Sequence, residues 1–451
     1  MTLWSSSEAQ AATLGQVTQA FAVNGLSIDT RTLKAGDLFV ALKGDNRDGH
    51  GFVRAAFDAG AAAALVSYAP DGVTGPLLSV AHTQRGLEDL ARAARARSNA
   101  KVIAVTGSAG KTTTKEILAL CCNALGTTHA SAASYNNHWG VPLSLAAMPR
   151  HTEYGVFEVG MNHFGELRNL VALVRPHLAI VTTIAPAHLE FFGNCEAIAD
   201  AKSEIFEGLQ PGGFALIPAD SAYADRLRAR AIQAHVSNIV SFGETGDARL
   251  LSITPDGEGM RLKADVLGKR VDCLVGAPGA HIAHNAVAAL AAVALLDGDV
   301  LNAAAALRDF KALKGRGARF QAGSVAVIDE SYNANPASMA AALALLGAAP
   351  GRKIAVLGDM LEMGEDAPAH HAGLAAPIAA HQVDLVFACG GLMRSLWDVL
   401  PQAQRGGYAD NSTALSAQLM PFLKDGDTVL VKGSNGAKMS VIIEALKRKA
   451  I

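Results

Sequence analysis

The run Thr106-Gly107-Ser108-Ala109-Gly110-Lys111-Thr112-Thr113 has the residue types to hold a polyphosphate. Residues 101–106 read as a strand that ends in this loop, and residues 113–125 carry helical spacing after it. Glycines between a strand and a helix let backbone N–H groups close on an anion, and the helix start adds the positive end of its dipole. Lys111 is placed to reach the outer phosphates, and the Thr112 hydroxyl suits Mg²⁺. The common phosphate loop has four residues between its glycines. Here only Ser108 and Ala109 stand there, and Val105 takes the place of the first glycine. The loop predicts a bound nucleoside triphosphate, and leaves hydrolase, kinase, ligase and regulatory binder open.

Phosphoryl transfer also needs metal ligands. Glu158 lies at the end of a strand expected over 155–159, where a carboxylate faces the crevice in which such sheets bind ligands. His188 follows a strand expected over 178–184, in the loop Ala185-Pro186-Ala187-His188-Leu189-Glu190. Lys202 sits in a helical stretch, Ala201-Lys202-Ser203-Glu204-Ile205. Each has a plainer explanation when taken singly: a capping or surface acid, a solvated loop histidine, a solvated helix lysine.

These residues need a frame. The chain has 451 residues, 50% hydrophobic and 18% charged, and at roughly 150 residues per domain that suggests three domains. The mean hydropathy of +0.22 comes mostly from alanine. The run 286–296, bounded by Asn285 and Asp297, is far too short to span a membrane and reads as a buried helix. The first 15 residues lack a basic start followed by an apolar stretch, so neither a signal peptide nor membrane insertion is expected. A net charge of −2 without a basic block argues against nucleic acid as a partner. Cys121, Cys122, Cys195, Cys273 and Cys389 are odd in number and contain no Cys-x-x-Cys pair. They read as buried free thiols in a reducing compartment.

Strands over 101–106, 155–159 and 178–184, with a helix over 164–174, alternate as a parallel sheet does. The pattern restarts near Val325, with strands expected over 325–328, 354–357, 385–388 and 428–431. That is a second doubly wound unit of Rossmann type. The stretch 311–317 reads as the hinge between the two. The expected fold class is α/β in three domains: a small N-terminal α/β unit over 1–83, a central parallel-sheet unit carrying the phosphate loop over 84–313, and a C-terminal Rossmann-like unit over 314–451.

Together, the shortened Thr-Gly-x-x-Gly-Lys-Thr-Thr loop, Glu158, His188 and Lys202 resemble the Mur ligases of bacterial peptidoglycan synthesis, in order and over essentially the whole chain. In that family a Glu, a His and a Lys carried as a carbamate follow the loop as metal ligands. The resemblance implies that role for Glu158, His188 and Lys202, and it implies ATP and Mg²⁺ as cofactors. An ammonium group cannot ligate Mg²⁺, whereas its CO₂ adduct is a carboxylate and can.

Four further stretches narrow the resemblance. Asp29-Thr30-Arg31, Gly36-Asp37-Leu38-Phe39 and Asp48-Gly49-His50 are similar to a uridine-nucleotide domain, which implies substrate contacts there. Asn136-Asn137-x-x-Gly140-x-Pro142-Leu143 looks like the family's motif after the first central helix, again on the substrate side. Asp329-Glu330-Ser331-Tyr332-Asn333-Ala334-Asn335-Pro336 and Gly358-Asp359-Met360-x-Glu362-Met363-Gly364 resemble signatures of the member that adds D-alanyl-D-alanine.

The implied reaction joins D-alanyl-D-alanine to a UDP-N-acetylmuramoyl tripeptide through an acyl phosphate, in cytoplasmic precursor synthesis for cell wall, cell shape and cell division. The implied actor is a monomer. Gly107 to Thr113, Asn285, Arg316, Asp329 and Asn333 are the implied ATP contacts, the last two at ribose or base. Three departures stand out. Ile282 replaces the asparagine that reads adenine, so Asn285 or backbone must hold the base. Glu330 replaces an aspartate. Asn435 replaces an arginine after Lys432-Gly433-Ser434. Two readings stay open beside this one: the same chemistry on another substrate, such as that of the preceding Mur ligase or a folate- or cyanophycin-type ligase, and a nucleotide-binding partner of cell-wall assembly without activity. The tripeptide's third residue, diaminopimelate or lysine, is also open.

Overall fold

The computed structural model describes residues 2–132 and 134–449. Three α/β units follow one another along the chain, each around its own sheet. The first has a five-stranded sheet in the order Gln16–Val17, Leu77–Ser79, Ala63–Val66, Asp37–Val40, Gly25–Ser27, parallel except for its first pair. A two-stranded ribbon, Trp4–Ser5 with Ala22–Val23, lies beside it.

The central sheet has nine strands. Asn238–Gly243, Phe214–Pro218, Leu178–Val181, Lys101–Thr106, Tyr154–Glu158 and Thr128–Ala130 run parallel in that order. Ala248–Asp256, Gly259–Val266 and Lys269–Val275 extend it as an antiparallel meander. The expected sheet was parallel throughout. The meander follows from period-two burial: Met260, Leu262, Ala264 and Val266 face the core, as do Val271, Cys273 and Val275. The strand expected over 178–184 ends at Val181. Thr182 turns away because its hydroxyl is needed by the phosphate loop, where it donates to Ala109 O at 2.6 Å.

The run read as a buried helix lies in the helix Ala280–Leu295. Eleven of its residues are buried, and small alanine side chains let it lie close to the sheet and to the Lys111–Asn123 helix. The third unit has a six-stranded sheet in the order Ala318–Ala322, Val325–Glu330, Thr428–Lys432, Lys353–Gly358, Leu385–Cys389, Arg405–Ala409. Its first pair is antiparallel and the rest are parallel. All four strands expected here are present. The Ala318–Ala322 edge was not foreseen, because Arg319 and Gln321 interrupt its apolar pattern. Four cysteines are buried free thiols, whose pKa values burial pushes up. Cys195 is only half-buried, at the start of the helix Cys195–Ser203, which corrects the expectation of five buried thiols.

The units are tied by long-range contacts. Trp4 Nε1 donates to Ala146 O at 2.9 Å, and the Arg97 guanidinium lies 3.6 Å over the Trp4 ring. Gln84 Nε2 donates to His138 O at 2.8 Å. Because the Ala280–Leu295 helix has no spare volume, Ala289→Leu should destabilise the protein by about 1–3 kcal/mol through overpacking, read as a lower urea midpoint at unchanged slope.

Candidate functional site

Parallel strands deliver their carboxyl ends to one edge, and here three of them meet. Glu158 pairs in register with Val105, and Val181 with Thr106. The phosphate loop leaves Thr106 with Gly107 at φ +149° and Gly110 at φ +81°, and the helix begins at Lys111, two residues before the stretch expected over 113–125. A Cβ on Gly107 would come 1.9 Å from Thr182 Oγ1, so only glycine fits. Ser108 N donates to Thr183 O at 2.8 Å, and Ser108 Oγ accepts from Ala185 N at 3.0 Å. With Thr182 N donating to Thr106 O at 2.9 Å, the loop is bonded to the end of the neighbouring strand on both sides of Gly107.

Lys111 Nζ donates to Gly107 O at 2.8 Å, folded back over its own loop. Burial pushes its pKa down and the Arg316 charge adds to this, while Glu158 opposes it. Glu158 is 1% exposed. Its two oxygens accept from Thr112 Oγ1 and from Asn136 Nδ2, each at 2.7 Å. Both of its hydrogen-bond donors are neutral, so the Lys111 charge interacts with this carboxylate without a direct bond to it.

Lys202 is also 1% exposed. Burial pushes its pKa well below the ordinary value, and the charge of Lys111 pushes the same way. A lysine there is therefore held toward the neutral amine. His188 occupies a left-handed conformation, φ +57°, and its Nδ1 lies 2.5 Å from Glu362 Oε2 of the third unit. The hydrogen bond lowers the pKa of Glu362.

A cavity of about 530 Å³ opens on this edge, a usual size for a small-molecule site. It brings together Ser108 to Lys111, Thr113, Asn136, Glu158, His188, Asn285, Arg316 and Asn333. Lys202 is not among its lining residues, and lies near enough to Lys111, which is, for the two charges to interact. Arg316 crosses from the third unit to donate to Ser134 Oγ at 3.0 Å, with its guanidinium 3.9 Å over the Tyr332 ring. Asp329 is not among the residues lining the cavity; its carboxylate accepts from Gly315 N, Ser331 N and Ser331 Oγ and so fixes the hinge.

Ile282 packs into the core, 3% exposed, which explains how an apolar residue can stand there. His281, His284 and Asn285 share the cavity face of the same helix instead. Sequence reasoning missed both histidines, although their i, i+3 and i+4 spacing at the head of an apolar helix was visible. It also missed Pro218, Asp220 and Phe242 on that wall. These come from loops and strand ends that only the sheet order brings together. Glu330, the residue in place of an aspartate, accepts from Lys432 Nζ at 3.2 Å, and Lys432 also donates to Asn333 O at 2.9 Å. Asn435 is exposed and makes no side-chain bond in the cavity.

The remaining expected residues lie outside the cavity. Asn137 Oδ1 accepts from Trp139 N and Gly140 N, so it caps the Gly140–Ala146 helix. Asp29 pairs with Arg31 at 2.5 Å, and the hydrogen bonds from Arg31 hold its pKa down to about 2. Thr30, between them, is half-buried. Gly49 packs tightly, since a Cβ would come 2.6 Å from Leu42 O. His50 is buried, accepts from Ser67 N through Nε2 and faces Asp48 Oδ1 at 2.6 Å through Nδ1. It holds the loop rather than presenting its ring. This part of the first unit meets the central unit at Gly44, which packs against Trp139.

The arrangement offers an anion cradle, two lysines, a buried acid and a cavity wide enough for a nucleotide and a second substrate. Its likeness to known proteins is extensive. Residues 22–117 match the family model described as Mur ligase family, catalytic domain; residues 105–293 match the Mur ligase middle domain; residues 315–435 match the Mur ligase glutamate ligase domain. A UDP-N-acetylmuramoyl-tripeptide–D-alanyl-D-alanine ligase of Rickettsia prowazekii is 32% identical, over 98% of this chain and 99% of that one. The enzyme of the same name from Escherichia coli is 36% identical, over 94% of each. A crystal structure of MurF from Acinetobacter baumannii superposes with a TM-score of 0.87 at 30% identity, over 99% of both chains. MurF from Thermotoga maritima in complex with ADP superposes at 0.81 and 25% identity, over 95% of this chain and 98% of that one.

The close approach at Gly107 gives a direct check. Gly107→Ala should weaken ADP binding at least about 100-fold, because a lost loop geometry removes several charge-assisted hydrogen bonds at once. Isothermal titration reads this, with a folded far-ultraviolet spectrum as the control.

Proposed function

The chain belongs to the Mur ligase family, and from that premise we propose how its own residues carry out the ligation. It is an ATP-dependent ligase that joins D-alanyl-D-alanine to a UDP-N-acetylmuramoyl tripeptide in peptidoglycan synthesis. The observation that carries the site reading is the meeting of the phosphate loop with buried Glu158 at one sheet edge. The tripeptide's terminal carboxylate oxygen bonds to the γ-phosphorus of ATP as the bond to the bridging oxygen breaks, and ADP leaves. The dipeptide's amine nitrogen then bonds to the acyl carbon, the C–O bond to phosphate breaks, and phosphate leaves with loss of the amine proton to solvent. A free carboxylate is a poor acyl donor, and phosphorylation supplies the leaving group.

Catalysis of this kind is positioning and charge neutralisation. The backbone of Gly107 to Thr113 cradles the phosphates, with Lys111 swinging from Gly107 O to the β- and γ-phosphates. The base faces the wall of Phe242, His281, His284 and Asn285, because the other end of the cavity is taken by Glu158 and His188. Arg316 and Asn333 close over the nucleotide from the third unit. Asn136 orients Glu158. The tripeptide's uridine end lies along the first unit near Asp29 to Arg31 and Asp48 to His50, which hold their loops in shape through the bonds described above.

The donor set suits Mg²⁺. Glu158 is a buried carboxylate facing only neutral donors, and Thr112 adds a hydroxyl. Among the described residues no three His, Cys, Asp or Glu side chains form a ready cage. Mg²⁺ fits such a place, since it draws its other ligands from phosphates and water. Thr112, Glu158, His188 and a carbamylated Lys202 would hold it, and it would supply positive charge opposite the phosphates. The carbamate reading is supported by the burial of Lys202 without an acidic partner, because only the neutral amine attacks CO₂. No helix is long and apolar enough to cross a membrane. We place the enzyme in the cytoplasm, as a monomer, where ATP and uridine nucleotides are available. The units are proposed to divide near residues 83 and 313.

The reaction is tested by phosphate release with ATP, each tripeptide in turn, and D-alanyl-D-alanine or single amino acids as acceptor. Release should require the dipeptide, and Lys111→Ala should reduce it at least about 1000-fold, as loss of an electrostatic clamp does. Activity retained in that variant rules out the loop assignment. Lys202 is tested separately with ¹³C-bicarbonate: a carbamate carbon resonance should appear in the wild type and vanish in Lys202→Ala.

A further inference from the structure

We propose that Glu362, on the third unit, is the positioning residue that aims His188 of the central unit into the cavity, so that the metal side of the site is complete only when the two units are docked. This rests on the reading above, in which His188 is a metal ligand. The contact is direct: His188 Nδ1 lies 2.5 Å from Glu362 Oε2. A carboxylate acceptor keeps the imidazole proton on Nδ1, which leaves the Nε2 lone pair for the cavity that His188 lines. Without that acceptor the ring is free to turn and to exchange tautomers.

Three observations show that the contact is built and not incidental. Both residues are left-handed, with φ +57° at His188 and φ +63° at Glu362, a conformation disfavoured for side chains with a Cβ. Such strain on both sides of one hydrogen bond marks a place that the surrounding structure enforces. The backbones are also joined, since Glu190 N donates to Glu362 O at 3.2 Å. Leu189, between His188 and Glu190 in sequence, packs against the cores of both units.

The turn bearing Glu362 is braced from behind. Leu361 N donates to Ser434 Oγ and Met360 N to His371 Nε2, each at 2.9 Å. Asp359 Oδ1 accepts from Met393 N at 2.8 Å. The Glu362 carboxylate is therefore presented by a fixed turn, even though it reaches the surface.

The test uses the full chain, with Mn²⁺ as the probe in the presence of ADP, followed by electron paramagnetic resonance. Phosphate release is titrated with Mg²⁺ alongside. Glu362→Ala should weaken Mn²⁺ binding about 10–100-fold and raise the Mg²⁺ needed for half-maximal rate to match, with the ATP KM at saturating metal little changed. Glu362→Gln, whose amide oxygen still accepts from Nδ1–H, should recover most of the binding. Unchanged Mn²⁺ affinity in Glu362→Ala overturns the proposal, and so does an equal loss in both variants. If Glu362→Ala loses Mn²⁺ while the wild type fails to join D-alanyl-D-alanine to either tripeptide, the positioning role stands and the ligase reading falls.

Discussion

Everything at this site depends on a carboxylate that has been taken out of water. Glu158 is buried at the end of a central strand, and its two oxygens are satisfied by Thr112 and Asn136. Those two donors come from different places: the first turn of the helix after the phosphate loop, and the turn ahead of the Gly140–Ala146 helix. Removing either would leave a buried lone pair unpaired, a cost of roughly 1–3 kcal/mol. One acid thus registers strand, loop and helix against each other. The same arrangement leaves a negative charge facing the cavity, which a cation can complete. Stability and function draw on one desolvated group.

The frame was legible where the chain announces it locally. The strand at 101–106, the glycine loop and the restart near Val325 could all be read, because parallel strands buried on both faces are continuous apolar runs followed by helices. The chemical residues of the loop could be read for the same reason, since their spacing is local. The bonds that Asp329 makes to the hinge were not legible, because a turn-favouring acid beside a nucleotide signature looks the same whether it faces a ligand or a backbone N–H. The bonds from Trp139 N and Gly140 N to Asn137 Oδ1 were hidden in the same way. His281, His284 and Phe242 were missed because nothing local marks them. Their wall exists only after strands 214–218 and 238–243 are ordered beside the loop. Lys202 is the intermediate case: its position in the chain was found by resemblance, while its burial is a tertiary fact.

The units communicate through a small number of side chains that cross between them. Arg316 reaches Ser134, Asn335 Nδ2 donates to Ser108 O at 3.3 Å, and His188 meets Glu362. Each crossing group is braced at its origin, by Tyr332, by the capping box of the Pro336–Gly347 helix and by the Ser434 turn respectively. Rigid presentation from both sides is what allows a cavity between units to hold one geometry.

The strand Thr428–Lys432 sits in the middle of the third sheet although it is the last of that sheet's six strands in sequence, between Val325–Glu330 and Lys353–Gly358. It carries Lys432, which fixes Glu330 and Asn333, and leads into Ser434, which braces Leu361. During synthesis, then, the earlier strands of this unit wait with a gap at their centre, and pairing across about 100 residues must close it. A chain cut short before residue 428 would carry an intact phosphate loop opposite an unfinished wall. Completion of the wall opposite the phosphate loop is in this way coupled to the insertion of residues 428–432 between two strands that precede them by about 70–100 positions.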